Sequence, residues 1–222
     1  MNHITDAVQA EWGDWFVNTV GQLTFNGRDT KWNQASYNTS NGTFSDTAGG
    51  GAILYDDVQM WRTPIINDIT LVWSEIGASV RVQAPASQSQ PWGVQSLPNL
   101  TIPFANAIAA REYCQWILDR YAYPSTTFQS ISFYPTRDGA GTAGWAQALN
   151  RELGDLITVV FHPKINGVAQ SPYTRLMWIR GINHTANGSN WKTTYTLEDA
   201  SYISNFFKLD SSSLDGTNVL AF

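Results

Sequence analysis

The sequence predicts an α+β fold, mainly antiparallel β, with one long flanking helix. Three observations carry this. First, Leu153 to Ser201 reads as three successive strands, Leu156 to His162, Thr174 to Ile182 and Trp191 to Leu197. These are β-branched and aromatic runs bounded by Gly, Pro and Asn, the composition that suits a pleated, half-buried surface. Second, Ala105 to Tyr121 carries an apolar stripe at helical spacing. Third, strands are grouped before and after that helix instead of alternating with helices, the order expected of a mostly antiparallel sheet with a helix on one side.

Taken in order, Thr5 to Gly13 reads as a short helix, capped by Thr5 or Asp6 and ended by Gly13. Trp15 to Thr24 reads as a hairpin turning near Val20-Gly21. Arg28 to Thr47 is polar and rich in Asn, Ser and Thr, with Trp32, Tyr37 and Phe44 spaced along it, and Thr47 to Gly51 is a Gly-rich connector. Ile53 to Tyr55 and Val58 to Arg62 are short extended segments. Asn67 to Glu75 is a strand in which Ile69, Leu71 and Trp73 share a face, and Ser79 to Gln83 is its partner, with Gly77 in the turn. Ala84 to Asn99, holding Pro85, Pro91, Pro98 and Trp92, reads as a long polar loop.

In the helix, Asn106 is the N-cap, Ala109, Tyr113, Trp116, Ile117 and Tyr121 form the apolar stripe, and Tyr123-Pro124 is the stop. Thr127 to Tyr134 is a strand, Thr136 to Gly144 a loop, and Trp145 to Glu152 a short helical turn. In the first of the three late strands Leu156 and Val160 oppose Ile157, Val159 and Phe161, so both faces need cover, from the helix or from a neighbouring subunit. In the third, Trp191, Thr193, Tyr195 and Leu197 share the face that suits a core. The three strands are expected to lie in one antiparallel sheet.

Composition excludes several functions. Of the 222 residues only 14% are charged, and the net charge is -5, which argues against a nucleic-acid-binding module with its basic face. A polybasic stretch for an anionic membrane is missing, as is an apolar run of spanning length, so no membrane insertion is expected. Met1 to Val20 contains Asp6, Glu11 and Asp14 and has no apolar core of a signal peptide, so the sequons at Asn38 and Asn187 carry no secretory meaning. One cysteine, Cys114, leaves neither an internal disulfide framework nor a cysteine zinc site. The 10 Trp, 9 Tyr and 10 Phe point to either interfaces or an aromatic core.

No catalytic, cofactor or metal site is read from the chain. His3, His162 and His184 have no metal-ligand spacing. The carboxylates Asp56-Asp57, Glu75, Asp138, Asp155 and Glu198-Asp199 offer pairs for general acid–base work but sit at turns and strand ends, outside any catalytic motif. A Ser elbow, a P-loop and a His-Glu-x-x-His helix are all missing. Trp32 and Trp92, on polar segments, are the candidate platforms for stacking on sugar rings.

Several segments resemble, in order, the minor tail proteins of long-tailed bacteriophages. They are AEWGDWFVNTVGQLTFNGRD (Ala10 to Asp29), INDITLVW (Ile66 to Trp73), the loop with Trp92-Gly93, AIAAREYCQWILDRYAYP (Ala107 to Pro124), ELGDLITVVF (Glu152 to Phe161), RGINHT (Arg180 to Thr185) and WKTTYTLEDAS (Trp191 to Ser201). The resemblance implies a tail-tube-like β-barrel or sandwich and a non-enzymatic structural role, as a hub of the tail tip or baseplate. Its wall is expected from the three late strands plus those at Ile69 and Thr127, with helix 105–121 packed outside.

The implied division is 1–52, a helix-hairpin and polar loop region within a hub domain; 53–209, the barrel domain; and 210–222, a C-terminal tail. The implied partners are further copies in a trimeric ring, and other tail proteins: the distal tail protein, the tape measure, and tip or fibre proteins. Genome DNA is implied to pass through the lumen without specific binding, and an acidic conduit would let it slide. The implied location is the virion tail tip, after assembly in the host cytoplasm. A further N-terminal region usually precedes this segment in that family, so a C-terminal portion, a short hub or one product of a split chain is expected. Two other functions are kept beside this one: a carbohydrate-binding module using Trp32 and Trp92 against the host envelope, and a cell-wall hydrolase domain.

Overall fold

A computed structural model describes residues 8, 13–18, 20–27, 39–73, 77–137, 141–188 and 190–200. The described chain begins with a hairpin, β1 (Asp14–Val17) and β2 (Leu23–Asn26), followed by β3 (Thr43–Ser45), β4 (Ile53–Leu54), β5 (Asp57–Arg62), β6 (Asp68–Val72) and β7 (Ser79–Gln83). A single helical turn, α1 (Pro85–Gln88), leads to β8 (Ser96–Thr101), the long helix α2 (Ala107–Tyr121) and β9 (Thr126–Phe133). Then come α3 (Gly141–Leu149), β10 (Leu156–Phe161), the small hairpin β11 (Lys164–Ile165) and β12 (Val168–Ala169), and the long pair β13 (Tyr173–Asn187) and β14 (Asn190–Asp199).

The α+β class read from the sequence holds: a mixed, mostly antiparallel sheet curls into a half-barrel, with few helices. That sheet has seven strands in the order β4-β3-β10-β13-β14-β9-β5. The three late strands are its centre, all antiparallel as expected, with Leu156 opposite Trp178 and Ile182 opposite Tyr195. Their faces are those read from the sequence. Thr193, Tyr195 and Leu197 are buried, while Thr196 is exposed. A bulge between Ile179 and Gly181 realigns the pair, and a Cβ at Gly181 would lie 3.2 Å from Thr196 Oγ1. The polar stretch before residue 47 hides β3, which pairs in parallel with β10, Phe44 opposite Val159.

One core lies under this sheet. Phe44, Phe133 and Tyr195 form an aromatic trio with centroids 5.0, 5.9 and 5.4 Å apart. Helix α3 closes over it with Ala148 and Trp145, and the Tyr195 hydroxyl donates to the Gln147 carbonyl. This helix begins at Gly141, inside the expected loop 136–144: glycine is a poor helix former, so Gly141 and Gly144 hid the start, and the face with Gly144 and Ala148 is held by burial. On the opposite face Leu156, Trp178 and Ala200 make a smaller cluster, so the two-sided strand is covered within the chain at this end.

The second core corrects two expectations. The strand at Thr127 joins the large sheet as β9, but the strand at Ile69 does not. It is the middle of a separate sheet, β7-β6-β8. Helix α2 covers that small sheet, not the outside of the large one, burying Tyr113, Cys114 and Ile117 with Ile69, Leu71 and Val80. The physical reason is proximity: elements close in the chain pack together, and the apolar stripe of α2 meets the apolar face of β6 first. The buried stripe is Ala110, Tyr113, Cys114, Ile117 and Leu118, so Trp116 and Tyr121 lie at its margin. The N-cap is as read: Asn106 Oδ1 accepts from Ala109 N at 2.9 Å.

The expected loop Ala84 to Asn99 also proves partly regular. Its end is β8, parallel to β6 on one edge of the small sheet. Pro98 survives there because the pairing skips from Leu97 to Leu100 opposite Ile69 and Leu71, so the residue without an N–H falls in a bulge on an edge strand. The Trp15 to Thr24 hairpin is found as β1–β2, with Asn18 Oδ1 accepting from Gln22 N at 2.8 Å and Gly21 at φ +81. The second small hairpin turns at Asn166 and Gly167, both with positive φ, the pair a two-residue hairpin turn favours. Of the expected helix Thr5 to Gly13, only Val8 and Gly13 fall among the described residues.

Candidate functional site: an arginine–carboxylate hub beside an open sheet

Three bodies meet at one cluster of charge. Arg180 on β13 pairs with Glu198 on β14 and with Asp14 at the start of β1. Glu198 also accepts from Arg120 Nη2 at 2.7 Å, and the same guanidinium donates to the Asp199 carbonyl at 3.0 Å. The large sheet, the α2 unit and the first hairpin are thus tied by one carboxylate pair and two arginines. Arg120 lies over Trp116 and Tyr121, 5.6 and 5.3 Å from their centroids, and Arg180 lies 5.5 Å over Trp178. Burial alone would ease the proton off Arg180, but Glu198 and Asp14 outweigh it and hold the guanidinium charged. The sequence singled out Glu198-Asp199 as possible acid–base groups. Glu198 is instead saturated by arginines, the environment of a structural carboxylate.

Beside the hub, a cleft of about 1180 Å³ opens between the two cores. Leu97 and Ile117 line one wall, Phe128, Leu176 and Leu197 the other. The large sheet also ends in two free strands among the described residues, β4 and β5. Strand β5 is the longer, and its Met60 and Trp61 are 39% and 54% exposed. An exposed edge of this length offers a row of unpaired backbone groups to another strand.

The remaining candidates are placed as follows. His162 Nδ1 lies 2.6 Å from Asp46 Oδ1, and the His162 amide donates to Asp46 Oδ2 at 2.9 Å. Burial would raise Asp46, but these bonds from His162 win and hold its carboxyl below the usual range. His184 contacts Thr193 Oγ1 at 3.1 Å and the Trp191 ring. His162 lies beside Tyr173, at the opposite end of β13 from His184; eleven strand residues span roughly 36 Å, so the two do not meet. Asp56 is held by Arg137 at 2.7 Å and Lys192 at 3.4 Å. Asp155 is pushed up by burial against the pull of Glu152 N and Arg151, the latter 3.2 Å away. Glu75, Asp138 and His3 lie outside the described residues. Among the described residues no three His, Cys, Asp or Glu side chains gather as a metal site, and no helix is long and apolar enough to cross a membrane. Cys114 is buried in the second core, which pushes its thiol up to about 11.

Trp92 is half-buried. Its Nε1 donates to Ser87 Oγ at 3.2 Å and its ring stands edge-on to Tyr123, 6.4 Å between centroids. Ser87 belongs to a buried network built on Asn67, whose Nδ2 donates to the Gly93 carbonyl at 2.8 Å and whose Oδ1 accepts from Gln95 N at 2.7 Å. Trp32 lies outside the described residues. The residues sequence reasoning missed are Arg120 and Arg180; their partners lie far away in the chain, so no spacing signals them.

No family model matches the sequence, and no curated protein matches it. Among solved structures, the tail protein from Neisseria meningitidis MC58 aligns over 90% of this chain and 54% of its own, with 12% identity and a TM-score of 0.51. The prophage MuSo2 43 kDa tail protein from Shewanella oneidensis aligns over 89% of this chain and 51% of its own, with 13% identity and a TM-score of 0.45, below the range that marks a shared fold. The chain therefore spans about half the length of the solved structures it matches. What it shares with the Neisseria tail protein is the fold.

Proposed function

We propose that this chain is a non-enzymatic structural subunit of a bacteriophage tail, a minor tail or baseplate hub protein that forms part of the tail-tip conduit by oligomerising. The observation that carries the reading is the fold likeness to a tail protein across 90% of the chain. The open, curled sheet supports it. A half-barrel whose two edge strands are unpaired among the described residues suits a wall completed by neighbouring copies, and a heterologous contact that closes makes a ring. Low charge overall and the exposed Met60 and Trp61 on β5 suit a subunit contact. The proposed assembly is a trimeric ring at the virion tail tip, contacting the distal tail, tape measure and tip or fibre proteins, with DNA passing through an acidic lumen.

Cryo-electron microscopy of the intact virion, with the chain located in the density, tests the role: density at the tail tip is the expected result, and its absence from the particle overturns it. Native mass spectrometry at micromolar concentration tests the ring, which a strict monomer would remove. A basic lumen lining in the assembled density would remove the sliding-conduit idea.

A further inference from the structure

We propose that the first hairpin is a self-association surface: the outer face of β1–β2 packs against the same face of a second copy. Trp15 stands opposite Phe25 and Val17 opposite Leu23, so four large apolar side chains share one face of the hairpin. Val20 stands at the turn between the strands, and all five side chains are 50–74% exposed. The other face turns to the body of the protein. Asn26 is buried there, Phe16 lines a cavity of about 200 Å³ with Leu153 and Ile179, and Asp14 is held by Arg180. An anchored base thus presents the apolar face outward.

Area and charge name the occupant. A two-stranded hairpin is marginal by itself, and a contiguous exposed apolar patch of this size marks a contact site. The five side chains present roughly 500 Å² per copy, so two copies bury about 1,000 Å², where specific interfaces begin. The net charge of -5 makes copies repel each other overall, but no residue from Trp15 to Gly27 is charged, so here two copies meet without like charges facing each other. Two such faces suit sheet-on-sheet packing. A lipid surface fits less well: the turn that would enter it first carries Asn18 and Gln22 beside Val20, and the other apolar side chains lie along the flank. The contact is isologous and closes on two copies, so it stands apart from the ring proposed through the edges of the large sheet.

Cys114, the one cysteine of the chain, is buried, so a cysteine placed on the face is the only accessible thiol. Val17→Cys and Leu23→Cys are each oxidised in the full chain at micromolar concentration, with Asn187→Cys, at the exposed far end of β13, as the control. A disulfide-linked dimer is expected from at least one face variant, forming at least about tenfold faster than from the control. Equal rates in all three overturn the proposal. So does the lack of a dimer from both face variants, and a maleimide that then labels Asn187→Cys but not Val17→Cys would show the face covered within its own chain. In a second variant, Val17→Glu with Leu23→Glu, sedimentation velocity is expected to show self-association weakened at least about tenfold, and unchanged association overturns the proposal. Flotation with phosphatidylcholine vesicles that the double variant abolishes would assign the face to lipid and overturn it as well.

Discussion

Glu198 Oε1 accepts from Arg120 Nη2 at 2.7 Å across the seam between the two cores, while the other carboxylate oxygen takes Arg180. One side chain thus balances two guanidiniums, and Arg120 is only 9% exposed. Removing the charge leaves Arg120 without its carboxylate in a poorly solvated site and leaves Arg180 with Asp14 alone. Glu198→Gln is expected to cost about 2 to 4 kcal/mol, because breaking a buried pair leaves its partner uncompensated. Urea titration reads this as a lower midpoint at unchanged slope. A loss below half a kcal/mol would mean the hub is merely a surface pair.

Asp68 gives the chain an acid-sensitive joint. Its carboxylate accepts from Arg81 Nε and Nη2 at 2.8 and 2.7 Å and from Ser96 Oγ at 2.9 Å, joining all three strands of the small sheet. The Arg81 bonds outweigh burial and hold it below the ordinary carboxylate value. A depressed carboxyl stabilises above its unfolded pKa, about 3.9, and that contribution is lost as pH falls through the folded value. Acid titration followed at the small sheet is expected to show a transition below about pH 4 that Asp68→Asn abolishes. A transition unchanged in that variant would assign it elsewhere.

Tyr195 carries one polar obligation inside an aromatic core. Its hydroxyl is bound by the Gln147 carbonyl, and its ring packs on Phe44 and Phe133. Tyr195→Phe keeps the ring and loses the bond, at an expected cost of about 1 to 2 kcal/mol. Phe133→Ala removes the ring contact itself and is expected to cost about 3 to 5 kcal/mol. Thermal unfolding of the two variants orders them; an unchanged midpoint in Tyr195→Phe would show that α3 does not depend on this bond.

Trp92→Ala separates anchoring from sugar binding. With Nε1 on Ser87 and the ring edge on Tyr123, truncation is expected to cost about 1 to 2 kcal/mol of stability and leave host-wall polysaccharide binding unchanged. Unchanged stability together with lost binding would reverse the assignment.

At the open edge, Trp61→Glu is expected to lower oligomer mass without altering the far-ultraviolet spectrum, because a charge on an exposed edge strand disfavours pairing without disturbing β9 behind it. Sedimentation velocity reads the outcome. An unchanged mass would move the subunit contact away from β5.

The legible part of the fold was local. Alternation of Trp191, Thr193, Tyr195 and Leu197 named the buried face, and Asn106 marked the helix start, because both depend on neighbours a few residues apart. What stayed hidden depends on distant partners. Nothing in Asn67 to Glu75 says which sheet it joins, and Pro98 made β8 look like loop because the bulge that admits it is a property of the pair, not of the strand. The stripe on α2 was read about one residue off, since a wide aromatic face does not say which side meets the sheet. The hub was illegible altogether, because Arg120 and Glu198 stand 78 positions apart.

The pairing of β3 with β10 sets the timetable of biosynthesis. Thr43 waits for Thr158, and β9 waits for β14, so each of these strands, though paired early on its other side with β4 or β5, keeps one edge open until β10 or β14 has left the ribosome. During that interval one hydrogen-bonding edge of β3 and one of β9 are bare, which exposes the nascent chain to aggregation. Slower synthesis at reduced temperature, or a chaperone that shields these edges, is expected to raise the yield of folded protein.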